Sequence, residues 1–317
     1  MHEPAWQAIE LRDSEGQETT QRVAAVVSGA SRIGSDAVIA ALSRIVEHES
    51  ELEVQVANSS TEATEAASQA ARWATVVVAV GGDGTVADVA TGIFGSPAAL
   101  GIIPAGSTNI VARSLGIPAQ PAAALALLGG DYRLRAIDVG RSDDRSFLHI
   151  AGAGFDAELF GAANSVWKRR LGWIAYLPAA AAALRLPPSD VRIVVDSEVV
   201  NTRSPLVLIA NGGSAIAPNF QIYPGIAVDD GFLDVLVFTS LTPAQVVATL
   251  GHAGRQRLDR SPYVIHRRGR TVNLQAEPTL RVQLDGDPRG TTPRQFSVVP
   301  SGLLIVTPQQ QTVARPR

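Results

Sequence analysis

Apolar runs alternate with amphipathic stretches through the first part of the chain. Arg22 to Ser28, Leu52 to Ala57, Thr75 to Val80 and Ala99 to Ile103 are short and rich in Val, Ile, Leu and Ala, which predicts buried strands. Between them, Asp36 to Val46, Thr61 to Arg72 and Thr85 to Phe94 carry Ala, Glu and Val at helical spacing. Strand and helix in regular alternation predict a parallel, doubly wound α/β sheet. The pattern changes after Tyr132. Val191 to Val195, Leu206 to Ala210, Leu233 to Phe238, Thr271 to Gln275, Arg281 to Leu284 and Leu303 to Thr307 are short runs divided by Gly, Pro, Asp and Asn. They predict an antiparallel sheet or sandwich. Two helical segments interrupt it, Asp156 to Leu186, broken at Gly172 and Pro178, and Pro243 to Leu250. The expected organisation is an α/β domain over 1–134, with a loose tail at 1–21, then a β-sandwich domain with inserted helices over 135–307. The tail 308–317 is expected to be loose, with a return to the first domain as an option.

Two strand ends carry candidate chemistry. Gly81-Gly82-Asp83-Gly84-Thr85 follows Thr75 to Val80 directly and runs into Val86 and Ala87. Glycines let the backbone turn sharply and bring its N–H groups close to an anion, and the next helix points its unpaired N–H groups at the same spot. Asp83 would repel a phosphate, so a magnesium ion or a hydroxyl losing its proton has to share the site; the plainer reading makes Asp83 a cap. Pro104-Ala105-Gly106-Ser107-Thr108-Asn109 follows the next strand. Ser107, Thr108 and Asn109 can each donate to a phosphate or cap a helix. Two such loops side by side at the carboxyl ends of a parallel sheet stand where open α/β folds bind ligands.

Composition narrows the options. With 317 residues, 46% of them hydrophobic, and a net charge of −3, the chain reads as an ordinary two-domain globular protein with no electrostatic case for nucleic acid. It has no cysteine, which removes disulfides and thiolate metal sites and fits a reducing cytoplasm. Met1 to Gln21 has no apolar core, so no signal peptide is expected, and no apolar stretch reaches the roughly 20 residues that span a bilayer. Lys168 is the only lysine. That leaves no candidate for a Walker A loop, a protein-kinase lysine or a Schiff base, so phosphate charge has to be met by arginine and metal.

The second half holds two acidic turns. Asp229-Asp230-Gly231-Phe232-Leu233-Asp234 groups three acids around one glycine. Such oxygen-rich clusters suit magnesium or calcium, and an Asp-Gly turn between strands is the alternative. Asp285-Gly286-Asp287 reads as a hairpin turn or as a pair of carboxylates for proton transfer. The five histidines show no metal-ligand spacing. Trp167 to Trp173, with Lys168, Arg169 and Arg170, has the aromatic and cationic mixture of a membrane-interface segment, and Arg255 to Arg270 carries six arginines with Tyr263. Solvated surface is the alternative for both.

Taken in order, several strings resemble the bacterial diacylglycerol kinase family. They are Gly81 to Val86, Gly101 to Asn109 running into Ala112 to Pro118, Ile137 to Gly140, Ala151 to Glu158, Val228 to Asp234 and Leu284 to Pro288. The resemblance covers about residues 22 to 306. This family is related to sphingosine and ceramide kinases and shares its GGDGT loop and nucleotide-binding fold with NAD kinases. The resemblance implies an NAD kinase-like first domain that binds ATP through Ser28, Gly29, Ala30, Ser31, Arg32, Gly81 to Ala87, Ser107, Thr108 and Asn109. It implies a structural magnesium held by Asp230 with the carbonyls of Ala227 and Phe232, away from the chemistry. It assigns catalysis to Asp285 and Asp287, either of which accepts the proton, with Asp83 helping to hold magnesium and nucleotide.

The expected function is transfer of the γ-phosphoryl group of ATP to diacylglycerol, giving phosphatidic acid. A cytoplasmic protein visiting the inner membrane face is expected, and a homodimer is an option. Two departures from the family stand out. Asp287 replaces the usual Glu, and Ser28-Gly29-Ala30-Ser31-Arg32 replaces the usual Asn-Pro-x-Ser-Gly. The second motivates a non-catalytic nucleotide-binding regulator as an alternative; an NAD kinase or sphingoid-base kinase is another.

Overall fold

The apolar runs of the first half form neighbouring strands of one parallel sheet. A computed structural model of the chain describes residues 22–31, 34–44, 52–130, 132–154, 188–213, 221 and 223–309. The chain divides into two units, 1–137 with 301–317, and 138–300. In the first unit the order is β1 (Val23–Ser28), α1 (Ser35–Leu42), β2 (Leu52–Ala57), α2 (Ser60–Ala70), β3 (Val76–Gly81), α3 (Asp83–Ile93), β4 (Ala99–Pro104), α4 (Ile110–Ser114), α5 (Pro121–Leu128) and the start of β5 (Tyr132–Ser142). The strands lie β2-β1-β3-β4, all parallel. β3 and β4 are buried along their whole length, as expected for strands covered on both faces. Their residues pack with Val23, Val27, Val38, Leu42 and Leu128 into one core.

Helix α2 buries a face made wholly of alanine, Ala63, Ala66, Ala67 and Ala70. Small side chains let α3 approach closely: a Cβ on Gly92 would stand 2.7 Å from that of Ala67. Ser59 starts α2 by accepting from the Glu62 N–H at 3.2 Å, a standard N-cap. The chain returns at its end. Leu303 to Thr307, expected from its alternation in the antiparallel part, belongs to the strand Arg294–Pro308, whose Ile305 pairs parallel with Leu100 of β4. Its side chains Val306 and Leu304 complete the first core. Alternation alone reports burial on one face and says nothing about the direction of the neighbouring strand.

The second unit continues through β6 (Arg145–Phe147), β7 (Ile150–Ala153), β8 (Ser189–Val195), β9 (Glu198–Ser204), β10 (Leu206–Ala210), β11 (Leu233–Phe238), α6 (Pro243–Gly254), β12 (Val264–Gly269), β13 (Thr271–Glu277), β14 (Arg281–Leu284), β15 (Asp287–Thr291) and β16 (Arg294–Pro308). One sheet runs β12-β11-β10-β7-β14-β15, and β16, β13, β8 and β9 form another row. Neighbouring strands within both rows pair antiparallel. Inward residues of both, among them Ile193, Ile209, Val235, Leu274 and Phe296, form a single apolar cluster with Phe147 of β6. Phe147 and Phe296 meet edge to face at 6.3 Å. The chain is therefore the α/β protein with a following antiparallel β domain that the patterning predicts. Helix α6 runs four residues past the expected end, and Thr242 and Gln245 close a capping box at its start. The expected helix over Asp156 to Leu186 lies outside the described residues.

Candidate functional site

In the first unit the two glycine loops touch. A Cβ on Gly106 would stand 2.5 Å from the Cα of Gly82, so the second loop tolerates no larger residue at Gly106 without moving, whereas a Cβ on Gly82 would meet only an ordinary contact at 3.4 Å. The strand-end register Gly81 to Pro104 sets this approach, and the Ala105 N–H donates to the Gly81 carbonyl at 2.8 Å. Asn109 takes a left-handed conformation at φ 48° and grips Gly106 from both sides, accepting from its N–H at 3.0 Å and donating to its carbonyl at 2.9 Å. Asn109 thus shapes the loop, while Ser107 and Thr108 stand exposed at its tip.

Asp83 opens α3, with Gly82 as its cap residue. Its carboxylate accepts from the Val111 N–H at 3.1 Å, where α4 begins, and so ties the first loop to the second. Burial pushes its carboxyl above the ordinary carboxylate range, against the opposing pull of the Val111, Ile110 and Asn109 N–H groups and of Arg113. Val86 and Ala87, expected to line the nucleotide site, are turned into the core at 2% and 3% exposure, and the Val86 N–H bonds to the Gly82 carbonyl. Only the first-turn N–H groups before Val86 are left by helix geometry to face a ligand.

The β1 loop is braced from β2: the Gly29 N–H donates to the Ala57 carbonyl, and the Ala30 N–H reaches the Ser28 hydroxyl at 3.3 Å. Arg32 lies outside the described residues. A pocket of about 210 Å³ opens here, lined by Ser28, Ala30, Thr85, Asn58, Ser59 and Ser60 among others. Asn58 to Ser60 and Asp88, whose carboxylate accepts from the Ser60 hydroxyl at 2.6 Å, were not singled out from the sequence. Their signal is a polar string at the end of a strand, Asn58-Ser59-Ser60, the same position in the βα unit as the two glycine loops.

In the second unit Asp285 and Gly286 form the two-residue turn of the β14–β15 hairpin, both at positive φ, 49° and 96°. The Asp285 carboxylate accepts three backbone N–H groups, from Leu148 at 2.7 Å and from His149 and Ile150 at 2.9 Å each. It anchors the segment leading into β7. Asp287 differs: its carboxylate is 42% exposed, with Arg289 at 3.5 Å and Arg145 at 3.9 Å.

The Asp229 to Asp234 turn is also built from backbone donors. Asp230 accepts from the N–H groups of Ala227 at 3.3 Å and Phe232 at 3.1 Å, and its Oδ2 is paired with the Arg268 guanidinium. Asp138, buried, accepts from the Gly231 N–H at 2.5 Å and donates its own N–H to the Val228 carbonyl. Asp234 meets His266 Nε2 at 2.6 Å, and His266 stacks on Tyr223 at 4.3 Å. Among the described residues no group of three His, Asp or Glu stands close enough to hold a metal ion. In the set expected for magnesium, Asp230 with the Ala227 and Phe232 carbonyls, the carboxylate is already held by the N–H groups of those same residues and by an arginine. The arrangement does not fit a metal.

Trp167 to Trp173 lies outside the described residues. In the other basic stretch Arg257, Arg267 and Arg268 pair with Asp259, Glu198 and Asp230. No helix among the described residues is long and apolar enough to cross a membrane.

Residues 23–142 match the model of the diacylglycerol kinase catalytic domain, and 149–307 that of the YegS C-terminal NAD kinase beta sandwich-like domain. A Pseudomonas aeruginosa protein named "Probable lipid kinase YegS-like" is 33% identical over 256 residues, covering 78% of this chain and 80% of that one. The diacylglycerol kinase of Bacillus subtilis is 28% identical over 254 residues, 79% and 84% of the two chains. An uncharacterized Synechocystis protein matches at 30% identity, but the match spans only 55% of its length. The fold is that of a crystal structure described as "a putative diacylglycerol kinase from Bacillus anthracis str. Sterne", with a TM-score of 0.74 at 22% identity over 92% of this chain and 98% of that one. The chain belongs to the lipid kinase family that joins a diacylglycerol kinase catalytic domain to a YegS-type C-terminal domain.

Proposed function

We propose that the protein transfers the γ-phosphoryl group of ATP to the hydroxyl of diacylglycerol, giving phosphatidic acid and ADP. The observation that carries this reading is the division of labour in the Asp285-Gly286-Asp287 hairpin. Asp285 is engaged by three backbone N–H groups, which leaves Asp287 as the accessible carboxylate. Asp287 accepts the hydroxyl proton as the hydroxyl oxygen attacks the γ-phosphorus and the bond to the β-phosphate oxygen breaks. Arg145 and Arg289 hold that carboxylate in place.

In the first unit the paired glycine loops and the N-terminus of α3 suit a triphosphate, and the pocket lined by Ser28, Asn58 and Ser60 gives the rest of the nucleotide polar partners. Asp83 acts by fixing the second loop against the first. Magnesium, when bound, neutralises charge on the transferring phosphates; it is a hard ion that usually takes phosphate oxygens and waters with only one or two carboxylates. An acceptor lodged in a bilayer makes the protein a peripheral visitor to the inner membrane face.

The test is transfer from γ-labelled ATP with magnesium to diacylglycerol, monoacylglycerol, ceramide and sphingosine in mixed micelles, with NAD in a parallel reaction. Labelled phosphatidic acid, lost in Asp287→Asn, is the expected result. Label in NADP, in a sphingoid base or in no acceptor would overturn the assignment.

A further inference from the structure

The turn at 227–232 is held by carboxylates. Its backbone N–H groups at Ala227, Gly231 and Phe232 all end on carboxylates, two on Asp230 and one on Asp138. Asp230 and Asp234 lie close enough to repel each other, and a cation stands between them. Arg268 stands opposite Asp234 in the β11–β12 register; it pairs with Asp230 through Nη2 and approaches Asp234 through Nε at 3.9 Å. Its guanidinium lies over the Phe232 ring at 5.0 Å, and Arg270 lies over the same ring at 5.4 Å. A divalent ion on Asp230 would sit against a guanidinium already in contact with that oxygen, two like charges competing for one carboxylate.

We propose that Arg268 stands in for the structural divalent cation of this turn, so that the turn keeps its shape without metal and any magnesium dependence of the protein comes from the nucleotide. Arginine supplies the positive charge, directional donors to two carboxylates and a planar face for Phe232, and a point-like ion supplies only the first. This inference does not depend on which acceptor is phosphorylated, since its readout uses nucleotide-free protein.

The test is binding of Mn²⁺ as the probe, followed by electron paramagnetic resonance, together with thermal unfolding in EDTA and in magnesium. Wild type is expected to hold no Mn²⁺ that Asp230→Asn removes, and to melt at the same temperature in EDTA and in magnesium. Arg268→Gln is expected to melt several degrees lower and to recover part of the loss in magnesium, because a ligand that binds the folded form stabilises it. Should that variant fail to fold, Arg268→Lys, which keeps the charge, is expected to fold and remain insensitive to EDTA. A wild-type Mn²⁺ site abolished by Asp230→Asn, or a wild-type melting point lowered by EDTA, would overturn the proposal.

Discussion

The second unit contains two Asp-Gly turns built alike and used differently. Asp230-Gly231 and Asp285-Gly286 each place glycine at positive φ, 77° and 96°, and each uses the Asp carboxylate to collect backbone N–H groups. The difference lies in what stands beside them. Next to Asp230 is Arg268, which closes the site; next to Asp285 is Asp287, a second carboxylate that is half open to solvent. A carboxylate occupied by N–H donors serves as a structural part, and the proposed function gives the chemistry to the neighbour it leaves exposed.

That contrast breaks hardest at Asp285. Asp285→Ala strands three N–H groups at Leu148, His149 and Ile150, the first two of them in nearly fully buried residues. At about 1–3 kcal/mol for each buried donor left unsatisfied, urea unfolding should show a loss of about 3 kcal/mol or more, with activity falling alongside. Asp287→Asn should do the opposite. Its ion pairs are long, at 3.5 and 3.9 Å, and its own carboxylate is 42% exposed, so they are worth about 0–1 kcal/mol and stability should hold while turnover falls by about 10²–10⁴-fold.

Asp83 sharpens the comparison from the first unit, where a carboxylate again holds a backbone N–H. Its folded-state carboxyl is raised above the unfolded value, so the native state binds the proton more tightly. Its contribution to stability is therefore fully present below the unfolded value and is lost as pH rises through the folded one. Asp83→Asn, which can still accept from Val111, should remove that slope, a change of about 1.4 kcal/mol for each unit of pKa difference, measured by unfolding from neutral pH into the acid range. The smallest effect is expected at Asn58. Asn58→Ala should raise the KM for ATP by roughly threefold to tenfold through one lost hydrogen bond, with turnover nearly unchanged.

Much of this architecture was legible in the sequence because burial writes itself into composition. The run Val76 to Val80 has to be covered on both faces, and glycines at its end mark a sharp turn. Asp285-Gly286 carries its hairpin in two letters. What could not be read is partnership. Nothing near Asp230 in sequence points to Arg268, and nothing near Asp285 points to the N–H groups 135 to 137 positions away. The side chains of Val86 and Ala87 follow the GGDGT string yet serve the core, since helix rotation turns them inward. The strand Leu303 to Thr307 shows the same limit at the level of the fold, because its neighbour β4 lies two hundred positions earlier.

The account turns on Asp287 as the proton acceptor, so the most direct test assays Asp287→Glu and Asp287→Asn side by side with wild type for label transfer to diacylglycerol. Glu restores a carboxylate one methylene longer and should retain most of the turnover, while Asn should lose it with the fold intact. An Asn variant as active as wild type would contradict the account and move the chemistry away from the hairpin.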